Sequence, residues 1–454
     1  MTRTRLLVAA TGLLAALNPL GAQSTTDSAG VSQRTLDIQY LRPQDQRGIN
    51  MFETPKVAGA AYNGFKVQWG AAFAQQFQGL THKNTADSVF QGATAAVPGN
   101  AGAAAVANRN RLQRIGNGFN NAVANAYMHA QLAKGIRIQL TSYLSARHHN
   151  ETWVKDGFIQ IDDTPIDLPI LNSIMKYTTI KIGHFEVNYG DFHFKRSDNG
   201  QVLYNPLVGN AIMDAFTTEV GAEAIFQKSG FLAVAALTNG EVRGQILRAS
   251  DRSPAFMGKL GFDKQLNADV RTRLTASYRN QGSAANNTLY SGDRAGSRYY
   301  YVLENYVSTE AANFTSGNIN PAFTDKGNSV MVNPFLKVKG AEFFGMYEVA
   351  KGRAAPNTNP TREVKQYMAE GTYRFLKGDK LFLAARWNQV TGDLGGLNNN
   401  ITVTRANAGG GWFILPTLLL KGELVTQKYE GFARTDIRNG GQFRGFMLEA
   451  ATSF

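Results

Sequence analysis

The side chains able to do chemistry in this sequence are mostly fixed charges placed at every second position. Arg271, Arg273 and Arg279 alternate with Val270, Thr272, Leu274 and Ala276, and Arg137 and Arg147 fall among Ile136, Ile138, Leu140 and Leu144. Arg386 opposes Ala385 and Trp387, Lys421 opposes Leu420, and His184 and Glu186 share a polar face with Asn188. Glu219, Glu223, Glu342, Glu348 and Glu423 also fall on polar faces and are available to pair with these cations. Charges strung singly along extended segments do not assemble a nucleophile with its base; they attract, steer and hold small ions in water. A second set, His193, Lys195, Arg196, Asp198 and Tyr204, lies between Asp191 and Asp214. Its mixed signs set up a transverse field where a low-dielectric wall strengthens them.

Bond-making chemistry finds little support. The chain has no cysteine, which excludes disulfides, thiol catalysis and Cys-ligated metal. No nucleophile elbow, zinc-protease helix, phosphate loop or dinucleotide fingerprint stands in a fitting context. His148, His149 and Glu151 sit in a loop, and adjacent histidines rarely chelate one ion together, so no metal and no cofactor is expected. Gly409, Gly410 and Gly411 precede Trp412 in an extended run and read as room for a bend. The balance of 47 basic against 34 acidic residues is not a nucleic-acid signal, because the arginines are spread along strands and form no patch.

The elements that carry these charges read as strands. Phe65, Val67, Trp69, Ala71 and Phe73 oppose Lys66, Gln68 and Gly70, a period of two. Ala124, Ala126, Met128 and Ala130 oppose Asn125, His129 and Gln131, and the turn at Lys134 and Gly135 leads to the Arg137 strand, which makes a hairpin. The same unit recurs, giving sixteen spans from 65 to 454, among them 113–132, 136–147 and 178–189. Short turns alternate with long polar connections such as 81–111, 191–214 and 282–328. The longest later apolar run, Phe231 to Leu237, is seven residues, far below the roughly 20 a spanning helix needs. Spanning strands need only about 9–11, with one apolar face. The expectation is therefore an all-β protein, a transmembrane antiparallel β-barrel of about sixteen strands with short periplasmic turns and long extracellular loops.

At the start, Arg3 and Arg5 precede the uncharged run Leu6 to Leu17, and Gly21-Ala22 follows a break at Pro19. This reads as a secretory signal peptide over 1–22. Residues 23–56 read as a polar periplasmic or lumen segment, and 57–454 as the barrel. At the other end Phe446, Leu448, Ala450, Thr452 and Phe454 share a face, and the terminal Phe454 resembles the signal read by the barrel-assembly machinery of Gram-negative outer membranes.

The run from Ile180 to Asp191 (IKIGHFEVNYGD), followed by a long loop with Tyr204, Asn205 and Pro206, resembles the strand and inward-folded third loop of the phosphate-selective porins O and P. That resemblance implies a homotrimer in the cell outer membrane, in contact with lipid and lipopolysaccharide, passing small anionic solutes through a narrow lumen. The arginine ladder and lysine cluster of that family do not align here residue by residue, so phosphate selectivity does not carry over. The expected function is passive diffusion of small hydrophilic solutes with anion preference. The expected pore lining is Arg137, Arg147, His184, Glu186, Arg271, Arg273, Arg279, Arg386 and Lys421. The 191–214 loop is the expected constriction, with an external cap as its alternative. The rival functions are an outer-membrane enzyme and an occluded structural or adhesive barrel.

Overall fold

The computed structural model describes residues 38–91, 107–148, 151–164, 166–240, 253–284, 287–291 and 296–454. The expected signal peptide, the residues up to 37 and His149 lie outside the described residues.

Sixteen antiparallel strands close into one barrel. They are β1 (Lys66–Lys83), β2 (Val123–Ala133), β3 (Ile136–Leu144), β4 (Trp153–Ile161), β5 (Thr178–Glu186), β6 (Thr218–Lys228), β7 (Phe231–Thr238) and β8 (Ala255–Gln265). The second half comprises β9 (Val270–Gln281), β10 (Lys326–Val338), β11 (Ala341–Arg353), β12 (Arg362–Phe375), β13 (Leu381–Gly392), β14 (Ile401–Leu415), β15 (Leu418–Glu430) and β16 (Gln442–Ser453). Each strand pairs with its chain neighbours, and β1 closes the ring on β16 from Ala72 opposite Ser453 to Lys83 opposite Gln442. Closure leaves no edge of unpaired backbone, the condition for placing a sheet in lipid. The backbone of Phe454 completes the seam, exchanging bonds of 3.1 and 3.0 Å with Ala71. This is a transmembrane barrel of the outer-membrane type.

Alternation decides which side each residue takes. On β9, Leu274 is 54% exposed on the outside while Arg273 is 2% exposed within. Trp69, Leu140, Leu260, Leu383, Leu424 and Leu448 join Leu274 in the outward apolar surface. At one end the turns are tight; Gly135 takes φ +65° at the β2–β3 turn, where a Cβ would meet Asp163 at 2.2 Å. One connection there departs from the short-turn expectation: residues 162–177 between β4 and β5 carry a helix, α1 (Pro169–Met175).

Several spans differ from the sequence reading, among them 178–189, which ends at Glu186. The second strand begins at Val123, not 113, and only Gly118–Phe119 of the earlier stretch pairs with β1. The third ends at Leu144, followed by a 3-10 turn over Ala146–His148. A larger difference lies inside. The expectation that every inward side chain wets a bore fails along much of the wall, where Met257, Met331, Phe335, Phe344 and Met346 point inward. They pack with Ile212 and Met213 of the third loop and with Tyr290 and Tyr299 of the 282–325 loop, forming an apolar core inside the barrel.

Candidate functional site

The third long loop, residues 187–217, enters the lumen. Val202, Leu207, Val208, Ala211 and Ile212 within it are fully buried. A chain segment in that position must find partners for its peptide groups, and the barrel wall supplies them. Lys421 donates to the carbonyls of Val202, Asn205 and Leu207 at 2.9, 2.9 and 3.0 Å. Arg386 donates to the carbonyl of Gly209 and Arg405 to that of Asn210, both at 2.6 Å. Glu423 accepts from the amides of Val208 and Gly209 at 2.8 and 3.2 Å. Asn388 accepts from Ile212 at 2.6 Å and Gln366 from Met213 at 2.9 Å.

Within the loop, Asp191 is held by Arg273 at 2.8 Å, by Thr275 at 2.7 Å and by Lys259 at 3.0 Å. Lys195 pairs with Glu370 at 2.8 Å, and Arg196 grips Asp214 bidentately at 3.0 and 2.6 Å, tying the start of the loop to its end. Asp198 pairs with Lys155 of β4. His193 is bonded at Nδ1 to Glu186 at 2.6 Å and at Nε2 to Asn188 at 3.0 Å. Burial pushes this imidazole below its ordinary value although the Glu186 carboxylate opposes the shift. Burial also pushes the Tyr204 phenol up to about 12, so it stays a neutral donor to the carbonyl of Pro43. The loop residues expected from sequence therefore do gather inside the barrel, but largely as paired groups.

The wall residues divide. Arg273, Arg279, Arg386 and Lys421 face inward, and each is committed to a carboxylate: Asp191, Glu219, Glu370 and Glu449 in turn. Arg271 is half-buried and paired with Asp263 at 2.8 Å. Two residues are corrected. Arg147 does not stand on a strand; it lies exposed on the 3-10 turn beyond β3, 5.0 Å from the ring of Phe314, because the strand stops three residues earlier. His184 takes the outward parity opposite Gly157 and Val220, because Phe185 beside it is the buried inward residue.

One cavity, of about 180 Å³, lies between the third loop and the β2–β5 wall. Arg137, Lys155 and Lys181 line the wall side together with Asp156 and Glu186. His193, Arg196 and Asp198 line the loop side, and Arg42 and Glu53, from the segment before β1, complete it. Arg137 is 3% exposed and donates to Gln160 at 2.6 Å, while its Nε has no partner. Arg42 donates to the carbonyls of Gly48 and Phe194 at 2.9 and 3.0 Å. Among the described residues neither arginine forms an ion pair. Arg42, Lys155, Lys181 and Asp156 were missed from sequence. Lys181 was legible from its alternation with Ile180 and Ile182. Lys155 and Asp156 were hidden by a register shift between β3 and β4, where Thr141 pairs with Asp156 but Ser142 with Val154. Among the described residues no three His, Asp or Glu side chains gather as metal ligands.

No family model matches the chain, and no curated protein matches it in sequence. Among solved structures it is similar to an anion-selective porin from Comamonas acidovorans, at a TM-score of 0.51 and 9% identity, over 86% of this chain and 100% of that one. It is also similar to the outer-membrane channel DcaP of Acinetobacter baumannii, at 0.49 and 10% over 86% and 98%, and to OprB of Pseudomonas putida, at 0.49 and 9% over 86% and 94%. These likenesses concern the fold.

Proposed function

We propose that this protein is an outer-membrane porin, a passive channel for small hydrophilic solutes. The observation that carries the reading is the cavity left between the third loop and the β2–β5 wall, lined by charged side chains and bordering the apolar core at Phe52 and Ile225. Charged and amide groups on both sides of it replace part of a solute's hydration. The third loop and the wall together set the size limit.

Anion preference is part of the proposal, and its basis is narrower than a ladder of arginines. Arg273, Arg279, Arg386 and Lys421 are neutralised by carboxylates. The excess falls to Arg42 and Arg137, which donate to neutral oxygens and, among the described residues, form no ion pair. A phosphate-specific ladder is not part of the proposal, because the cations that would build it are occupied. Assembly as a homotrimer among lipid and lipopolysaccharide, with Phe454 read by the barrel-assembly machinery, completes it.

Two rivals remain distinguishable. An enzyme would need a compact Ser/His or paired-carboxylate site at the rim; His193 does not offer the first, since both its ring nitrogens are engaged by Glu186 and Asn188. An occluded barrel is favoured by the apolar core inside the lumen. Planar-bilayer recording tests the proposal: a porin gives steady open steps and a reversal potential in a KCl gradient directed toward anions. Silence from a folded barrel overturns the channel, and a cation-directed potential overturns the anion preference.

A further inference from the structure

Before β1 begins, the chain from Gln39 to Lys56 lies across the mouth that carries the tight turns, and it bonds to six of the hairpins there. Gln39 donates to Gln131 at 2.7 Å and accepts from Gly135 at 2.9 Å, at the β2–β3 hairpin. Across the ring, Gln46 donates through its amide to Pro416 at 2.9 Å, and through its side chain to the carbonyls of Gly378 and Asp379 at 2.9 and 3.2 Å. These are the β14–β15 and β12–β13 turns. Asn50 then donates to Glu342 of β11 at 2.7 Å, and its carbonyl accepts from Arg271 of β9 at 2.9 Å. Lys56 returns to the β4–β5 connection, donating to the carbonyls of Asp162 and Thr178 at 2.8 and 2.7 Å. The segment goes out across the mouth and comes back.

Two side chains pin it from within. Phe52 is 3% exposed and meets Phe194 of the third loop and Phe335 of β10 edge-on, at 5.9 and 5.4 Å. Glu53 is bonded by Arg273 at 2.8 Å and lies 3.4 Å from Lys259, both on the barrel wall. On the cavity side, the guanidinium of Arg42 lies 4.0 Å from the ring centre of Tyr204. A polar segment that only led into the first strand would have its peptide groups in water. Here three peptide groups and the side chains of Gln39, Gln46, Asn50 and Lys56 are spent on hairpins round the ring, and Arg42 and Glu53 form the cavity wall at that end.

We infer that residues Gln39–Lys56 form a strap across the tight-turn mouth, and that Arg42 and Glu53 on it set the size and charge limit of the passage. The inference rests on the channel reading. An ion leaving the cavity by this mouth passes the Arg42 guanidinium, held without a carboxylate, and Glu53, which cancels charge on Arg273 and Lys259. Asp191 stays on both cations when Glu53 is neutralised, so the cluster survives the substitution that tests it.

The experiment records single channels from the intact chain, from a chain lacking residues 39–56, and from Arg42→Gln and Glu53→Gln in the full chain. Heat-modifiable gel mobility verifies that each barrel is closed. The strap predicts at least a twofold rise in conductance on deletion, a reversal potential moved toward anions by Glu53→Gln, and one moved toward cations by Arg42→Gln. Conductance and both potentials unchanged would overturn the strap and leave the channel reading standing. Silence from the intact chain with steady steps after deletion would keep the strap and overturn the freely open channel. Silence from every closed barrel would overturn both. If the deleted chain does not fold, the point variants decide alone, and potentials equal to that of the intact chain overturn the strap.

Discussion

Arg386 on β13 donates to the carbonyl of Gly209 in the third loop at 2.6 Å, while its Nε is held by Glu370 of β12 at 2.8 Å. One guanidinium thus joins two neighbouring strands to a loop some 177 residues earlier in the chain. A cation placed to meet a passing anion would keep its donors for water; this one has given them to the protein. The inward arginines of β9 and β13 are fasteners first.

Arg386→Met tests that role. It leaves Glu370 to Lys195 alone and takes the donor from Gly209 and Asn205. Breaking one side of a buried pair costs about 3–5 kcal/mol. The expected outcome is a lower thermal transition of the detergent-solubilised barrel and faster hydrogen exchange across residues 205–213. Exchange at the intact rate would mean that Lys421, Arg405 and Glu423 hold the loop without Arg386.

Selectivity is expected to follow Arg137, not Arg279. A unit charge about 7 Å from an ion in water is worth roughly 0.6 kcal/mol, close to a threefold change in local concentration, and less as salt rises. Arg137→Glu reverses one such charge beside the cavity, so the local anion concentration should fall and the local cation concentration rise by about sevenfold each, lowering the anion-to-cation permeability ratio by more than tenfold at low salt. Arg279→Gln together with Glu219→Gln removes both charges of a neutral pair and should leave the ratio near its original value. Reversal potentials at two salt concentrations measure both.

The long-loop end should respond to pH. Burial pushes Glu304 and Glu310, both in the 282–325 connection, from an ordinary 4.5 to about 7. An unfolded carboxyl loses its proton near 4.5, whereas the packed loop keeps it to about 7, so between these values the folded state binds more protons. Stability then falls as pH rises through that window, and the loop is packed most tightly below it. Hydrogen exchange over residues 296–323 should be slower at pH 5 than at pH 8 after correction for the intrinsic rate. Glu304→Gln together with Glu310→Gln should remove most of the difference.

The barrel was legible because alternation is a local property: Leu274 beside Arg273 states which face meets lipid without knowledge of any partner. Closure followed from the even run of strands. What alternation cannot state is where the inward charge finds its opposite. Arg273 meets Asp191 and Glu53, 82 and 220 residues away, and nothing in the spacing of the arginines announces either. Alternation also fails where the ladder slips, as at Lys155 and Asp156, and where a strand stops early, as before Arg147. His184 was misread for a related reason: Gly183 and the buried Phe185 set the inward parity there, and an imidazole looks polar wherever it points.

The outward face itself can be tested at mid-strand. Leu424 on β15 is 66% exposed, flanked across the ladders by Ala408 and Phe446. A charged residue facing hydrocarbon costs about 2–4 kcal/mol near the bilayer midplane and close to nothing in water. Leu424→Arg should therefore destabilise the barrel in lipid vesicles by an amount of that order, while Leu424→Phe should be nearly neutral. The tryptophans give an independent reading, since Trp69, Trp387 and Trp412 are 62%, 43% and 50% exposed on the outer surface. In vesicles their emission should be quenched by brominated acyl chains and shielded from aqueous iodide. The reverse pattern, with a tolerated arginine at 424, would place these side chains in water and remove the reason for a cylinder.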